Sequence, residues 1–207
     1  FEEAVFGLKS KTLILSLSER QKSEYQEHYF TPNARFHLLP PTLDASFSPI
    51  SDRAGERERL RLELDLPMQD LLLMFIGSGF ATKGLDRVID ALASLPQGLQ
   101  KRARLIVVGD DDENQYRKQA ERLKVSGQVR FLGGRSRTDI PKLLAAGDLM
   151  VHPAYGENTG TVLLEAIAAG LPVLATDVCG YASHIKAAGA GTVLDSPFEQ
   201  DTLNTQL

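Results

Sequence analysis

From residue 71 onward, short apolar runs alternate with segments of helical periodicity, and this alternation constrains the fold more than any other feature. The first run, Leu71–Ile76, is almost continuously apolar, as expected for a strand buried on both faces of a parallel sheet. Further strands are predicted at 105–108, 129–132, 149–151, 173–175 and 192–194. Apolar residues at 85, 88, 89 and 92 predict a helix after the first strand, and further helices are predicted at about 113–124, 138–146 and 181–188 and from about 160 to the helix stop at Gly170. Six strands alternating with helices predict an α/β fold with a Rossmann-like, doubly wound parallel sheet.

The preceding residues predict a different unit. Residues 1–10 have the pattern of a helix end, and 12–17 and 36–39 are strand candidates. Ser18, followed three residues later by Gln21, forms a predicted capping box for a helix that ends near Tyr29. Residues 42–50 are rich in turn formers, so we assign 1–44 to the tail of a preceding domain and its linker, and 45–207 to the α/β domain. The chain starts at Phe1 rather than Met, which is expected of part of a longer protein.

Residues 53–66 contain a dense mixture of Arg and Glu with interspersed leucines. Closely spaced Arg and Glu favour a helix. A basic binding patch is one interpretation, but acids interleave with the bases, so we expect a solvated helix face.

Composition excludes several functional classes. The formal net charge of −4 argues against a general nucleic-acid binder. The single cysteine, Cys179, cannot form a disulfide within the chain and fits a reducing compartment. No apolar run reaches the roughly 18 residues of a membrane span, and no signal peptide is visible. We therefore expect a cytoplasmic protein.

The segment 152–166 runs from a predicted strand through a loop of small residues into a helix. A helix start offers unpaired backbone N–H groups and partial positive charge, so it can bind phosphate, and Gly160 between Thr159 and Thr161 allows close approach. Glu157 and Glu165 would be repelled by phosphate and should contact hydroxyl groups at either end of the ligand. Hydroxyls flanking a diphosphate describe a nucleotide sugar; the alternative is two unrelated glutamates on solvated faces.

Ligands of doubly wound sheets bind beyond the carboxyl ends of the strands. Lys83, in the loop after the first strand, opposes the dipole of the helix predicted to start there, and a bound diphosphate would make it favourable. Arg135 could contact a base. For both residues a surface position is the alternative.

Three other features at this edge have simpler interpretations. The acids at 110–112 could bind a metal, but consecutive side chains point in different directions, so a solvated loop is favoured. We expect His152 to be a packed, hydrogen-bonded residue rather than a catalytic base. Cys179 is interpreted as a small buried apolar group.

Several motifs together resemble the C-terminal domain of the family-4 retaining glycosyltransferases, which have the GT-B fold. The motifs are Glu157-x7-Glu165, Lys83-Gly84, Val129-x-Phe131-x-Gly133, Ala146-Gly147-Asp148-Leu149 and Gly170-Leu171-Pro172-Val173. Segments 91–96, 152–155, 169–174 and 178–181 resemble more closely those members that glucosylate the lipopolysaccharide core.

The resemblance implies transfer of glucose from UDP-glucose with retention and without a metal or other cofactor. It implies that Glu165 binds the ribose and that Glu157 lies near the sugar. It also implies that amides from Thr159 to Val162 bind the sugar and diphosphate, and that Lys83 stabilises the leaving UDP. The uracil would lie against the loop at Arg135. The acceptor, an inner-core heptose, would bind an N-terminal domain, with peripheral attachment at the inner face of the bacterial inner membrane.

The first loop departs from the family. Many relatives have an arginine either just after its leading glycine, here Gly77, or just before its lysine. Those positions are Ser78 and Thr82 in this chain, so one positive charge for the diphosphate is missing or comes from elsewhere. The other interpretations are a different sugar donor, a module that binds nucleotide without turnover, and a sugar-nucleotide epimerase.

Overall fold

The computed structural model of the chain describes residues 1–44, 47 and 52–207. The strands are β1 Ile14–Ser16, β2 Phe36–Leu38, β3 Leu71–Ile76, β4 Ala103–Val108, β5 Val129–Phe131, β6 Leu149–His152, β7 Val173–Thr176 and β8 Gly191–Leu194. The α-helices are α1 Glu2–Phe6, α2 Glu19–Tyr29, α3 Arg53–Glu63, α4 Phe80–Lys83, α5 Leu85–Ser94, α6 Gln97–Gln100, α7 Asn114–Arg122, α8 Ile140–Ala146, α9 Thr161–Ala168, α10 Ala182–Ala188 and α11 Gln200–Gln206.

Strands β3 to β8 form one six-stranded sheet, in which every neighbouring pair is parallel. The spatial order is β5-β4-β3-β6-β7-β8, so the chain first extends the sheet in one direction and then returns to extend it in the other. This is the doubly wound topology that the alternation predicts, and the strand order reverses between β3 and β6. Ligands bind at such a switch point.

Helices cover both faces of the sheet. On one face, Phe75 of β3 and Val107 of β4 pack against apolar residues of α5, α7 and α11. On the other face, Met74 and Met150 pack against α3, α8, α9 and α10. These strands read as continuous apolar runs because both of their faces are buried.

Helix α3 is anchored through arginines, which corrects the expectation of a solvated face. Arg61 is fully buried, and its Nη2 lies 2.7 Å from Asp148 Oδ2, while Arg57 Nη2 lies 2.5 Å from Asp148 Oδ1. Burial lowers the pKa of Arg61, and Asp148 opposes this effect. Only the other face of the helix, with Arg59 between Glu56 and Glu63, has the solvated ion pairs that the sequence predicts.

The first 44 residues form a separate two-stranded parallel sheet, β1–β2, with α1 and α2. Ser18 caps α2 by accepting a hydrogen bond from the Gln21 amide at 3.3 Å, as predicted. Arg20 then donates to the Asp177 carbonyl in the loop after β7, which links the two sheets. The proposed boundary at residues 44 and 45 borders 45–46 and 48–51, which lie outside the described residues. In the described part of the chain, no helix has the length and hydropathy needed to cross a bilayer.

Candidate functional site

The loops that follow β3 and β6 meet at the switch point. The Tyr155 amide donates to the Thr82 carbonyl at 2.8 Å, which ties the first loop to the second. A Cβ atom on Gly84 would lie 2.2 Å from the Pro153 carbonyl oxygen, and Gly84 has φ +78°. Only glycine permits this approach together with this backbone conformation. The two loops are therefore held as one unit at the carboxyl edge of the sheet.

Lys83 projects from the first loop toward the second. It is the last residue of the short helix α4 and directly precedes Gly84, the N-cap of α5, so a cation stands at a helix start as predicted. Its alkyl chain covers Gly77, where a Cβ would lie 2.8 Å from Lys83 Cε. Its ammonium group pairs with Glu157, with Nζ 2.5 Å from Oε2. Both side chains are mostly buried, so this pair forms the charged centre of the site.

Glu157 also lies beside His152. The His152 Nε2 is 3.9 Å from Glu157 Oε2, too far for a hydrogen bond. The nearby imidazole of His152 and the Lys83 ammonium lower the pKa of Glu157 to about 2, although burial opposes the shift. His152 is completely buried against Phe75, yet neither ring nitrogen has a hydrogen-bond partner among the described residues. The expectation of a packed histidine is thus confirmed, and that of a hydrogen-bonded one is wrong.

Helix α9 begins directly after Glu157 and its loop. Gly160 is the N-cap residue with φ 80° and supplies no capping side chain. Within the described chain, none of the backbone N–H groups of residues 159–162 donates a hydrogen bond. Thr161 is exposed, whereas Gly160 itself is buried. The helix start therefore offers unpaired amides, as the sequence predicts, next to the Lys83–Glu157 pair.

Glu165 lies one turn further along α9 and is half-buried. It forms no hydrogen bond or ion pair within residues 1–44, 47 and 52–207. Burial raises the pKa of its carboxyl group, and the positive charge of Arg137 counteracts the rise. A carboxylate that loses water without gaining a partner is destabilising, unless a ligand supplies the hydrogen bonds.

Residues that the sequence did not single out support the second loop. Arg87 donates to the carbonyls of Pro153 and Ala154 at 2.9 and 3.1 Å, and its guanidinium lies 3.5 Å from the centre of the Tyr155 ring. The Tyr155 hydroxyl donates to Asp86 at 2.6 Å. Arg87 and Asp86 occupy the polar positions of an amphipathic helix, so their pattern is the same as that of a solvated face.

The other residues that the sequence analysis considered for ligand binding lie outside the Lys83–Glu157 pair and the start of α9. The Ser78 hydroxyl accepts a hydrogen bond from the Asp110 amide at 3.1 Å, and Thr82 is exposed. Arg135 is exposed and lines a hollow between α3 and α8. Asp111 accepts hydrogen bonds from the amides of Phe80 and Asp112, which lower its pKa. Asp111 therefore holds the loop after β4 against the first loop.

Cys179 is buried, and burial raises the pKa of its thiol to about 12, so the interpretation as a small buried group is confirmed. No group of three or more His, Cys, Asp or Glu side chains suited to a metal occurs among the described residues.

Comparison with known proteins identifies the family. The profile of the family described as "Glycosyl transferases group 1" matches residues 56–207. The chain is 44% identical over 207 residues to the lipopolysaccharide glucosyltransferase WaaG of Escherichia coli K12, covering all of this chain and 55% of that protein. A crystal structure of WaaG superposes with a TM-score of 0.86 at 43% identity, covering 99% of this chain and 55% of the other. The crystal structure of Anabaena Alr3699/HepE in complex with UDP and glucose gives a TM-score of 0.77 at 25% identity over 94% of this chain and 53% of the other.

The chain thus spans about half the length of these relatives. The matched region contains the sheet, both loops of the switch point and helix α9, and by this match the chain belongs to the group 1 glycosyltransferases.

Proposed function

We propose that residues 45–207 bind the nucleotide-sugar donor of a retaining glucosyltransferase that acts on the lipopolysaccharide core. The observation that carries the proposal is the row of unpaired amides at residues 159–162, placed beside Lys83 at the switch point. Free N–H groups at a helix start together with a cation suit a diphosphate. The other half of the cleft would come from a domain to which residues 1–44 belong.

The donor is proposed to be UDP-glucose. In support, HepE has been crystallised with UDP and glucose, and WaaG is described as a glucosyltransferase. Glu165 would accept hydrogen bonds from the ribose hydroxyls, which gives its half-buried carboxylate the partners that it lacks among the described residues. Glu157 would face the glucose, and the uracil would lie toward Arg135.

Lys83 is proposed to neutralise the diphosphate, in place of a metal or other cofactor. Charge grows on the leaving UDP as the bond to glucose breaks, and a fixed cation in a partly buried site stabilises that charge strongly. Support comes from the position of the ammonium group, held over Gly77 and beside the start of α9.

The acceptor is proposed to be a heptose of the core, reached through the preceding domain. The parent enzyme would then work in the cytoplasm, peripherally at the inner face of the inner membrane. Similarity to the WaaG of E. coli supports this part of the proposal.

The first test replaces Glu165 by Ala in the 207-residue chain. We expect roughly 10- to 100-fold weaker UDP binding by isothermal titration calorimetry, because hydrogen bonds from a charged group are lost. Glu121→Ala removes an exposed glutamate from α7 and serves as the control. Equal affinity of Glu165→Ala and the wild type would contradict a ribose site at this position.

The second test replaces Lys83 by Ala. We expect affinity for UDP to fall roughly 10-fold or more, and Lys83→Arg, which keeps the charge, to retain most of it. Titration with UDP-glucose, UDP-galactose and GDP-mannose then identifies the preferred donor. Release of UDP by the isolated chain only when acceptor is present would show that this half alone turns over.

A further inference from the structure

His152 is a buried polar group for which the proposed donor site has so far assigned no role. Its side chain is completely buried, and both ring nitrogens lack hydrogen-bond partners within the described residues. Leaving buried polar groups unpaired costs free energy, so such an arrangement needs an explanation. The ring faces Glu157, whose carboxylate lies 3.9 Å from Nε2.

Among the described residues, the Glu157 carboxylate has one hydrogen-bond partner, the Lys83 ammonium at 2.5 Å. If Lys83 turns to a diphosphate, as proposed above, the carboxylate loses that partner while remaining mostly buried. An unpaired buried carboxylate is costly. The only change needed to bring His152 into hydrogen-bond range is a closure of about 1 Å, from 3.9 Å to the ordinary distance of ~2.8 Å.

We propose that His152 is a positioning residue that binds the Glu157 carboxylate in its protonated form once the donor diphosphate engages Lys83. The inference rests on the proposed function, because it needs an anion at Lys83. A neutral ring could donate one N–H group, but a protonated ring also balances the charge of Glu157. Imidazole is the side chain that can gain this proton near neutral pH. Glu157 thereby stays in place facing the donor sugar instead of following Lys83.

The surroundings favour this exchange over other proton acceptors. Among the described residues, Lys83 of α4 and His152 itself act on the charge of Glu157, and Arg20 of α2 acts on the neighbouring Cys179 thiol. The Cys179 thiol, from the loop after β7, stays neutral because burial raises its pKa to about 12. Phe75 of β3 stacks on the His152 ring, with centroids 6.3 Å apart.

The proposal can be tested by measuring how many protons the protein takes up when the donor binds. UDP-glucose is a suitable probe because its diphosphate is esterified at both ends and has no group that titrates near neutral pH. Calorimetry in buffers of different ionisation enthalpy, between pH 6.5 and 8.5, should show uptake of a fraction of a proton, at most one per donor bound. By linkage, donor affinity should fall as the pH rises through this range.

Three variants identify the group. In His152→Gln, we expect proton uptake to disappear, the affinity to become independent of pH, and binding at pH 7 to weaken roughly 3- to 10-fold. In Glu157→Gln, uptake should also disappear, because the charge that attracts the proton is gone. His28→Gln changes an exposed histidine of α2 and should behave as the wild type.

The outcomes separate this inference from the proposed function. Donor binding by the wild type without proton uptake at any pH in the range would overturn the role of His152 and leave the donor site intact. Proton uptake that persists in His152→Gln would overturn it as well. Failure of the wild type to bind UDP-glucose would overturn the donor site and this inference together. The wild-type experiment needs no substitution, so a poorly folded variant cannot obscure the result.

Discussion

A carboxylate lies between basic groups at each end of the parallel strands, the amino edge and the carboxyl edge of the sheet. We call an edge closed where the polar groups around this carboxylate have partners within the described chain, and open where buried polar groups lack them. At the amino edge, Asp148 accepts from Arg57, from buried Arg61 and from the Leu72 amide at 2.7 Å. At the carboxyl edge, Glu157 has one lysine, while His152 beside it has no hydrogen-bond partner in the described chain. Buried polar groups whose hydrogen bonds are all formed within the chain stabilise the fold, whereas buried polar groups without partners indicate a ligand site.

The largest expected effect is on the free energy of unfolding, and it concerns the closed amino edge. We expect Asp148→Asn to lower the free energy of unfolding by ~3 kcal/mol, because the fully buried Arg61 then lacks its counter-charge. Urea denaturation monitored by circular dichroism measures the change. Glu63→Gln, which removes an exposed partner of Arg59 on the same helix, should cost less than ~1 kcal/mol. Similar losses in the two variants would contradict the closed character of the amino edge.

The dependence of the free energy of unfolding on pH below 6 tests the carboxyl edge, where Glu157 lies. The folded-state pKa of Glu157 is lowered from 4.5 to about 2. A carboxyl group with a lowered pKa stabilises the fold above about pH 4.5, and this contribution is lost as the pH falls toward 2. The shift corresponds to ~3 kcal/mol at most, and residual exposure of the pair reduces it to ~2 kcal/mol.

The comparison uses wild type and Glu157→Gln in urea at intervals from pH 6 to pH 2.5. We expect the variant to be less stable at pH 6 and the difference between the two curves to shrink to a small fraction of that value at pH 2.5. Parallel curves over the whole range would mean that the Lys83–Glu157 pair contributes nothing to the fold.

The strands were predictable from the sequence because their signal is local. The four central strands β3, β4, β6 and β7 are buried on both faces, so continuous apolar runs mark them, and Met150 and Phe75 are completely buried as expected. The glycine-rich loops and the unpaired amides at α9 follow from the strand–loop–helix pattern. Helices α4 and α6 were missed because each has only four residues, too few to show a period. Helix α11, which follows the last predicted strand, was missed as well.

Pairings over long sequence separation were not predictable. Arg59 and Arg61 look alike in the sequence, yet one is exposed and the other is buried against Asp148, 87 residues away. The ion pair between Lys83 and Glu157 forms because β3 and β6 are neighbours in the sheet, and no local sequence pattern predicts the order of the strands. The lack of hydrogen-bond partners for the two His152 nitrogens among the described residues depends on the same packing.

The smallest expected effect concerns the arginine that the first loop lacks. Ser78 is a poor place to restore it, because its hydroxyl accepts the Asp110 amide and joins two loops. Thr82 is exposed, its carbonyl accepts from the Tyr155 amide, and its side chain forms no hydrogen bond within the part of the chain that the structure describes. An arginine at position 82 would therefore add charge beside Lys83 without breaking a contact.

We expect Thr82→Arg to raise affinity for UDP-glucose roughly two- to fivefold at low salt, since an exposed charge contributes ~0.5–1 kcal/mol. The gain should shrink as ionic strength rises, which calorimetry at 20 and 300 mM salt would reveal. Ser126→Arg adds the same charge at an exposed position before β5, on the opposite edge of the sheet, and should change affinity little. Equal gains from both substitutions would reflect overall net charge and would remove the distinction between an open and a closed edge.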